Sequence, residues 1–244
     1  MQHSNAYTFK FAAMVTIACS VLLAGAATML KPRQEENVAL DIKRNILASV
    51  DIKAGAGESL TRDDINRLYK ENIQEYVINS EGDILQDKDP NNIDFDKNPD
   101  LKPLYEFVKD GQIISYIIPI SGKGLWSTIY GYLALEDDVT TIKGITFYQH
   151  GETPGLGGEI DKEWFKSNFE GKRIRNEEGE LISITVIKGK VENKIPPEER
   201  YHHVDGISGA TLTARGVDQF LEKDLNTYEP FFRKVMQDEG DHNG

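Results

Sequence analysis

Residues 11–30 carry no charged side chain, and the run ends at Lys31 and Arg33. As a helix such a stretch rises roughly 30 Å, about the hydrocarbon thickness of a bilayer. The pattern then changes. Apolar side chains recur at Val38, Ile42 and Ile46, with Leu40 and Leu47 beside them. That helical spacing continues the first helix as a stalk. Thr61 before Arg62-Asp63-Asp64 predicts an N-cap, and Ile65, Leu68, Tyr69 and Ile73 give the helix behind it one apolar face. Residues 76–79 and 83–85, around Glu81-Gly82, read as a short hairpin. Residues 86–103 are polar, contain Pro90, Pro99 and Pro103, and predict a surface loop.

Further along, residues 112–120, 127–135 and 140–149 read as three neighbouring strands. Gly131, inside the second, predicts a bulge or a close backbone approach. Residues 161–169 predict a short helix with Trp164, Phe165 and Phe169 on its apolar face. Residues 181–187 alternate and predict a fourth strand. From Thr211 a long helical pattern turns Val217, Phe220, Leu221 and Leu225 inward, and a second helical piece carries Tyr228, Phe231, Phe232, Val235 and Met236. Strands joined by short turns, with helices at the margins, predict an α+β fold. Its sheet is mixed and largely antiparallel with flanking helices, preceded by one N-terminal transmembrane helix. The expected division is an anchor over 1–34, a helical stalk and insertion region over 35–110, and the main domain over 111–244.

Charge and composition narrow the function. The 244 residues carry a formal net charge of -12, which repels phosphate backbones and argues against a nucleic-acid partner. Cys19 is the only cysteine, so no intrachain disulfide and no thiolate-ligated metal cluster is expected. Its apolar surroundings raise a cleaved signal peptide as the alternative to an anchor, with Lys10 as the basic region and Ala24-Gly25-Ala26 as the cleavage site. The uncharged run is longer than a usual signal core, which favours the anchor. Lys10 precedes the span, whereas Lys31, Arg33, Lys43 and Arg44 follow it; by the positive-inside rule alone the large domain stays in the cytoplasm.

Two small-residue segments carry the candidate chemistry. His150-Gly151-Glu152-Thr153-Pro154-Gly155-Leu156-Gly157-Gly158-Glu159 follows a predicted strand and lets a flat ligand approach the main chain. It is neither a dinucleotide fingerprint nor a P-loop, and on spacing alone a structural turn is as good a reading. Asp205-Gly206-Ile207-Ser208-Gly209-Ala210-Thr211-Leu212-Thr213 enters the long C-terminal helix. A plain helix cap at Ser208 or Thr211 explains it structurally. The same helix end presents free N–H groups and the positive end of the dipole, where a phosphate can sit, with two threonine hydroxyls at hand.

The run Ser208-Gly209-Ala210-Thr211-Leu212-Thr213 resembles the flavinylation motif S-G-A-[ST]-x-T of FMN-binding domains. Gly124-Leu125-Trp126, Ile129-Tyr130-Gly131-Tyr132, residues 150–158 and the single N-terminal span are similar to the C subunits of sodium-translocating NADH:quinone oxidoreductases. The resemblance runs over nearly the whole chain, most densely over residues 112–220. It implies that 111–244 is an FMN-binding domain and that Thr213 is esterified to the FMN phosphate by a flavin transferase, within Ser208, Gly209, Ala210 and Thr211. It implies that Trp126 and Leu156 lie against the flavin ring and that Glu152 and Thr153 hydrogen-bond to it, with Lys188 complementing its charge. By the same resemblance the chain carries electrons between the iron–sulfur and flavin subunits of a respiratory complex in the bacterial inner membrane, its flavin domain periplasmic, against the basic-residue count. The protein then has no active site of its own.

Three rivals stand beside this: the equivalent flavin subunit of a ferredoxin:NAD oxidoreductase complex, a membrane-anchored flavin-binding sensory module, and a structural domain in which Thr213 is a helix residue. Without the motif, Trp126 reads as a core aromatic. His202-His203, being adjacent, are expected to face different ways and share no metal. Glu136-Asp137-Asp138 reads as a solvated turn, Asp205-Gly206 as the turn into the second segment, and Glu198-Glu199-Arg200 as exposed surface.

Overall fold

The computed structural model describes residues 5–52, 60–90 and 93–242. Two compact units are distinguishable, Met1–Ile42 and Lys43–Gly244. The first is made of helix α1, Asn5–Ser49, whose last residues belong to the second unit; the helix continues through Pro32. Its apolar side chains, among them Phe11, Met14, Leu22 and Leu23, are exposed, and it is long and apolar enough to cross a membrane.

In the second unit, helix α2 spans Arg62–Asn72 and starts at a capping box: Asp64 N–H donates to the Thr61 hydroxyl, and the Thr61 N–H to the Asp64 carboxylate. Five strands follow: β1 (Ile73–Ile78), β2 (Lys102–Lys109), β3 (Gln112–Lys123), β4 (Thr128–Glu136) and β5 (Ile142–Gln149). They form one sheet in sequence order, each antiparallel to the next. A short helix α3 (Glu163–Lys166), a two-residue parallel pair β6 (Thr185–Val186) and β7 (His203–Val204), and the long helix α4 (Thr211–His242) complete the fold.

Alternation splits the sheet into two faces. Tyr116, Ile118, Ile120, Leu133 and Ile145 pack in one core with Val217, Phe220, Leu221, Leu225 and Phe232 of α4. On the other face lie Ile117, Ala134 and Tyr132, all buried. The last turns of α1 cover β5 there: Thr146 donates its hydroxyl to the Asn45 carbonyl, and the Ser49 carbonyl sits against Gly144. Gly131 is both things its place predicts. The β4–β5 register shifts beside it, and a side chain there would strike the Thr146 carbonyl.

Several elements differ from the sequence reading. Strand β2 begins inside the expected loop, with Pro103 opposite Val77. Proline near a strand start costs little ladder bonding, and here its carbonyl accepts from the Tyr228 hydroxyl at 2.6 Å. The 76–85 hairpin has a single bridge, Ile78–Ile84, because β1 takes β2 as its main partner. The expected fourth strand reduces to β6, outside the main sheet; Ser183 at φ 61° interrupts the extended run. The 161–169 helix is broken into α3 between two 3-10 turns, with Trp164 exposed. The two C-terminal helical pieces are one helix through Pro230.

Candidate functional site

Three loops meet where α4 begins. The segment at 124–127 links β3 to β4, that at 150–158 leaves β5, and that at 205–210 enters α4. In the last, the Ala210 N–H closes a turn on the Ile207 carbonyl at 3.2 Å, with Gly209 at φ 76°. A positive φ at that place in a turn favours glycine. The Ala214 N–H then bonds to the Ala210 carbonyl at 2.9 Å, which makes Ala210 the backbone cap and puts Thr211 inside the first turn. Neither Ser208 nor Thr211 is therefore the cap residue that the sequence suggested. The N–H groups of the first turn have no partner within the helix and face outward with its dipole.

Glu152 joins the three loops. It is 5% exposed, and Thr213 is 1% exposed. The Thr213 hydroxyl donates to Glu152 Oε2 at 2.6 Å. Glu152 Oε1 accepts from the N–H groups of Trp126 at 2.9 Å and Ser127 at 3.4 Å. Burial pushes the Glu152 pKa up, but the Thr213 hydroxyl and the amides of Trp126, Ser127 and Leu125 together hold it below the usual glutamate value. The group is a carboxylate held by neutral donors. Gly157 makes this closeness possible, since a side chain there would meet Thr213 Oγ1 and Glu152 Oε2. Ser127 adds a further tie, its hydroxyl accepting from the Gly151 N–H at 2.6 Å.

Around the buried pair the surface carries large apolar side chains among small polar ones. Trp126 is 69% exposed, so it is not the core aromatic that its residue type alone suggests. Leu125, Leu156 and Leu212 are also exposed, and Leu156 lies against Gly209. Large apolar groups gathered in the open at loops mark a ligand or partner surface. Ser208, Gly209, Thr211 and Thr153 are exposed, Ala210 is buried, and the Thr153 carbonyl accepts from the N–H groups of Leu156 and Gly158. Lys188 is exposed; the backbone beside it borders the entry to α4, with the Gly206 N–H donating to the Gly189 carbonyl at 2.9 Å.

Sequence reasoning missed Ser127 and Leu212. Leu212 had a visible signal, an apolar residue among small polar ones; Ser127 had none. The remaining clusters lie elsewhere. His202 and His203 do meet, with ring centroids 4.1 Å apart, because a 3-10 turn ends at His202 and a strand starts at His203. The opposed orientation expected of one regular element does not apply. Arg200 is only half exposed and donates to the carbonyls of Ile195 and Glu192. Asp205 accepts from the Val191 N–H and the Lys190 ammonium, which fixes the turn into the α4 loop.

Residues 124–226, which contain all three loops, match the family model of the FMN-binding domain. The C subunit of the Na(+)-translocating NADH-quinone reductase of Pseudomonas aeruginosa is 38% identical, with 90% of this chain and 91% of that protein aligned. The crystal structure of the corresponding protein from Parabacteroides distasonis covers 83% of this chain and 96% of its own, at 33% identity and a TM-score of 0.71. That of Shewanella oneidensis NqrC covers 80% and 96%, at 29% identity and a TM-score of 0.67. The chain belongs to the NqrC family, the C subunits of Na(+)-translocating NADH-quinone reductases.

Proposed function

We propose that this chain is the subunit of a sodium-pumping NADH:quinone reductase that carries FMN covalently, through a phosphoester on Thr213. One observation carries the reading: the Thr213 hydroxyl sits in the first turn of a long helix, beneath an exposed apolar rim. The helix end suits a phosphate in a protein that is otherwise acidic. Ser208, Gly209, Ala210 and Thr211 surround the phosphate with small side chains and backbone amides. Trp126 and Leu156 offer apolar contact to a flat ring, Glu152 and Thr153 offer hydrogen bonds, and Lys188 contributes positive charge beside the entry loop.

The bound flavin supplies one-electron transfer, and the protein sets its position and surroundings. An ester bond keeps the carrier from diffusing away on the outer side of a membrane. Residues 1–34 serve as the anchor in the bacterial inner membrane, residues 35–110 as stalk and insertion, and residues 111–244 as the flavin domain, on the periplasmic side. Its partners are the iron–sulfur and flavin subunits of the complex, and a flavin transferase matures it. Coexpression with that transferase, followed by denaturing electrophoresis, tests the attachment. A fluorescent band is expected for the unaltered chain and none for Thr213→Ala; a band that survives the substitution refutes the assignment.

A further inference from the structure

We infer that Glu152 is the proton acceptor for Thr213 when the flavin phosphoester forms, and so a catalytic residue contributed by the acceptor protein itself. The inference rests on the reading of Thr213 as the attachment point. A threonine hydroxyl is a poor nucleophile until a base takes its proton. Glu152 Oε2 lies 2.6 Å from Thr213 Oγ1, within reach of that transfer. Its other oxygen is fixed by the Trp126 and Ser127 amides, so the carboxylate is aimed before any partner arrives. Those amides belong to the 124–127 loop. Displacing Leu156, which lies against Gly209, and Gly157, which lies against the Thr213 hydroxyl, therefore uncovers the hydroxyl and leaves the base in place.

The other titratable groups nearby fit the role less well. His150 is turned toward the Glu152 backbone, its Nδ1 accepting that N–H at 3.3 Å, and its Nε2 is 3.7 Å from Asp161. Glu159 accepts from the Gly155 N–H and from the Trp164 indole. On α4, Arg215 is exposed. The carboxylate on the hydroxyl is ionised at neutral pH, as an acceptor must be.

The step balances with a flavin dinucleotide as donor. The Thr213 Oγ–P bond forms, the phosphoanhydride P–O bond breaks, a nucleoside monophosphate leaves, and the Thr213 proton passes to Glu152. The outcome also removes a conflict: the esterified oxygen no longer donates, and the neutral acid can donate to the phosphoester in its place.

Steady-state labelling by the purified flavin transferase tests this, with a flavin dinucleotide and the full-length chain as substrates, followed by covalent flavin fluorescence and intact mass. Glu152→Gln keeps the shape and an acceptor for the amides but not the base. Its labelling kcat should fall about 100-fold or more, with the KM for the chain and the melting temperature near those of the unaltered protein. Labelling at the original rate, or a loss confined to KM, overturns the proposal; the latter makes Glu152 a recognition residue. If the glutamine variant does not fold, Glu152→Asp decides: its carboxylate is drawn back by one methylene, so kcat must drop, and an unchanged kcat overturns the proposal. Thr213→Ala separates the two readings. Label lost there but retained in full by Glu152→Gln leaves the attachment site standing and removes only the base.

Discussion

The start and the middle of α4 hold sheltered carboxylates in opposite ways. Near its start, Glu152 reaches Thr213 and is held by a hydroxyl and backbone amides, with no cation on it among the described residues. Near its middle, Glu229 is gripped by Arg175 through two hydrogen bonds of 3.1 and 2.5 Å, and by Arg233 at 2.8 Å. Burial raises the Glu229 pKa, but the two arginines outweigh it and keep the group ionised. A carboxylate locked by a guanidinium is spent on structure. One held by neutral donors keeps an oxygen available for a proton. The same helix therefore fastens the domain at its middle and leaves chemistry at its start.

The largest expected effect comes from breaking the fastened middle. Arg175→Met leaves the sheltered Glu229 with Arg233 alone of the two arginines, and should cost about 2–3 kcal/mol in urea unfolding, while the folded fraction still takes up flavin at the original rate. A parallel fall in labelling of the folded protein would show that the two regions are coupled.

Asp218 lies between Thr213 and Glu229 on α4 and offers a smaller effect with a sign. Burial raises its pKa to about 6, although the Val186 N–H and His203 pull it back. The folded protein thus holds this proton more tightly than the unfolded chain, with its ordinary value of 3.8. The associated stability is complete below that value and is lost as pH rises through about 6. Asp218→Asn retains an acceptor for Val186 and should gain about 1–2 kcal/mol over the unaltered chain at pH 7.5, partial exposure reducing the full shift. The gain should vanish near pH 4, as chemical denaturation at the two pH values will show.

The smallest stability effect is expected at the open site beside the start of α4. Trp126→Ala removes an exposed ring and should change stability by less than about 0.5 kcal/mol, yet alter the absorption envelope of the attached flavin. A large loss of stability would return Trp126 to a packing role.

Much of this was legible in the chain. The uncharged run of 11–30, the strands through Gly131 and the inward face of α4 follow from periodicity. Strand β2 was hidden by Pro103 and by a pattern apolar on both sides, Leu104 facing α4 and Tyr105 the other face. Ser183 hid the break in the first half of the expected fourth strand, because positive φ at a non-glycine residue leaves no sequence signature. The site was legible as two motifs, whereas their junction was not. Residues 152 and 213 meet only because β5 and α4 deliver their loops to one corner, and long-range closure of that kind is written in the topology.

The central claim is most directly tested on the tryptic peptide covering residues 201–215, which holds Ser208, Thr211 and Thr213 and no other hydroxyl on serine or threonine. Fragmentation of that peptide from the matured protein should place a mass of FMN less one water on Thr213. The same mass on Thr211 or Ser208, or an unmodified peptide from a protein that still fluoresces after denaturation, would contradict the account.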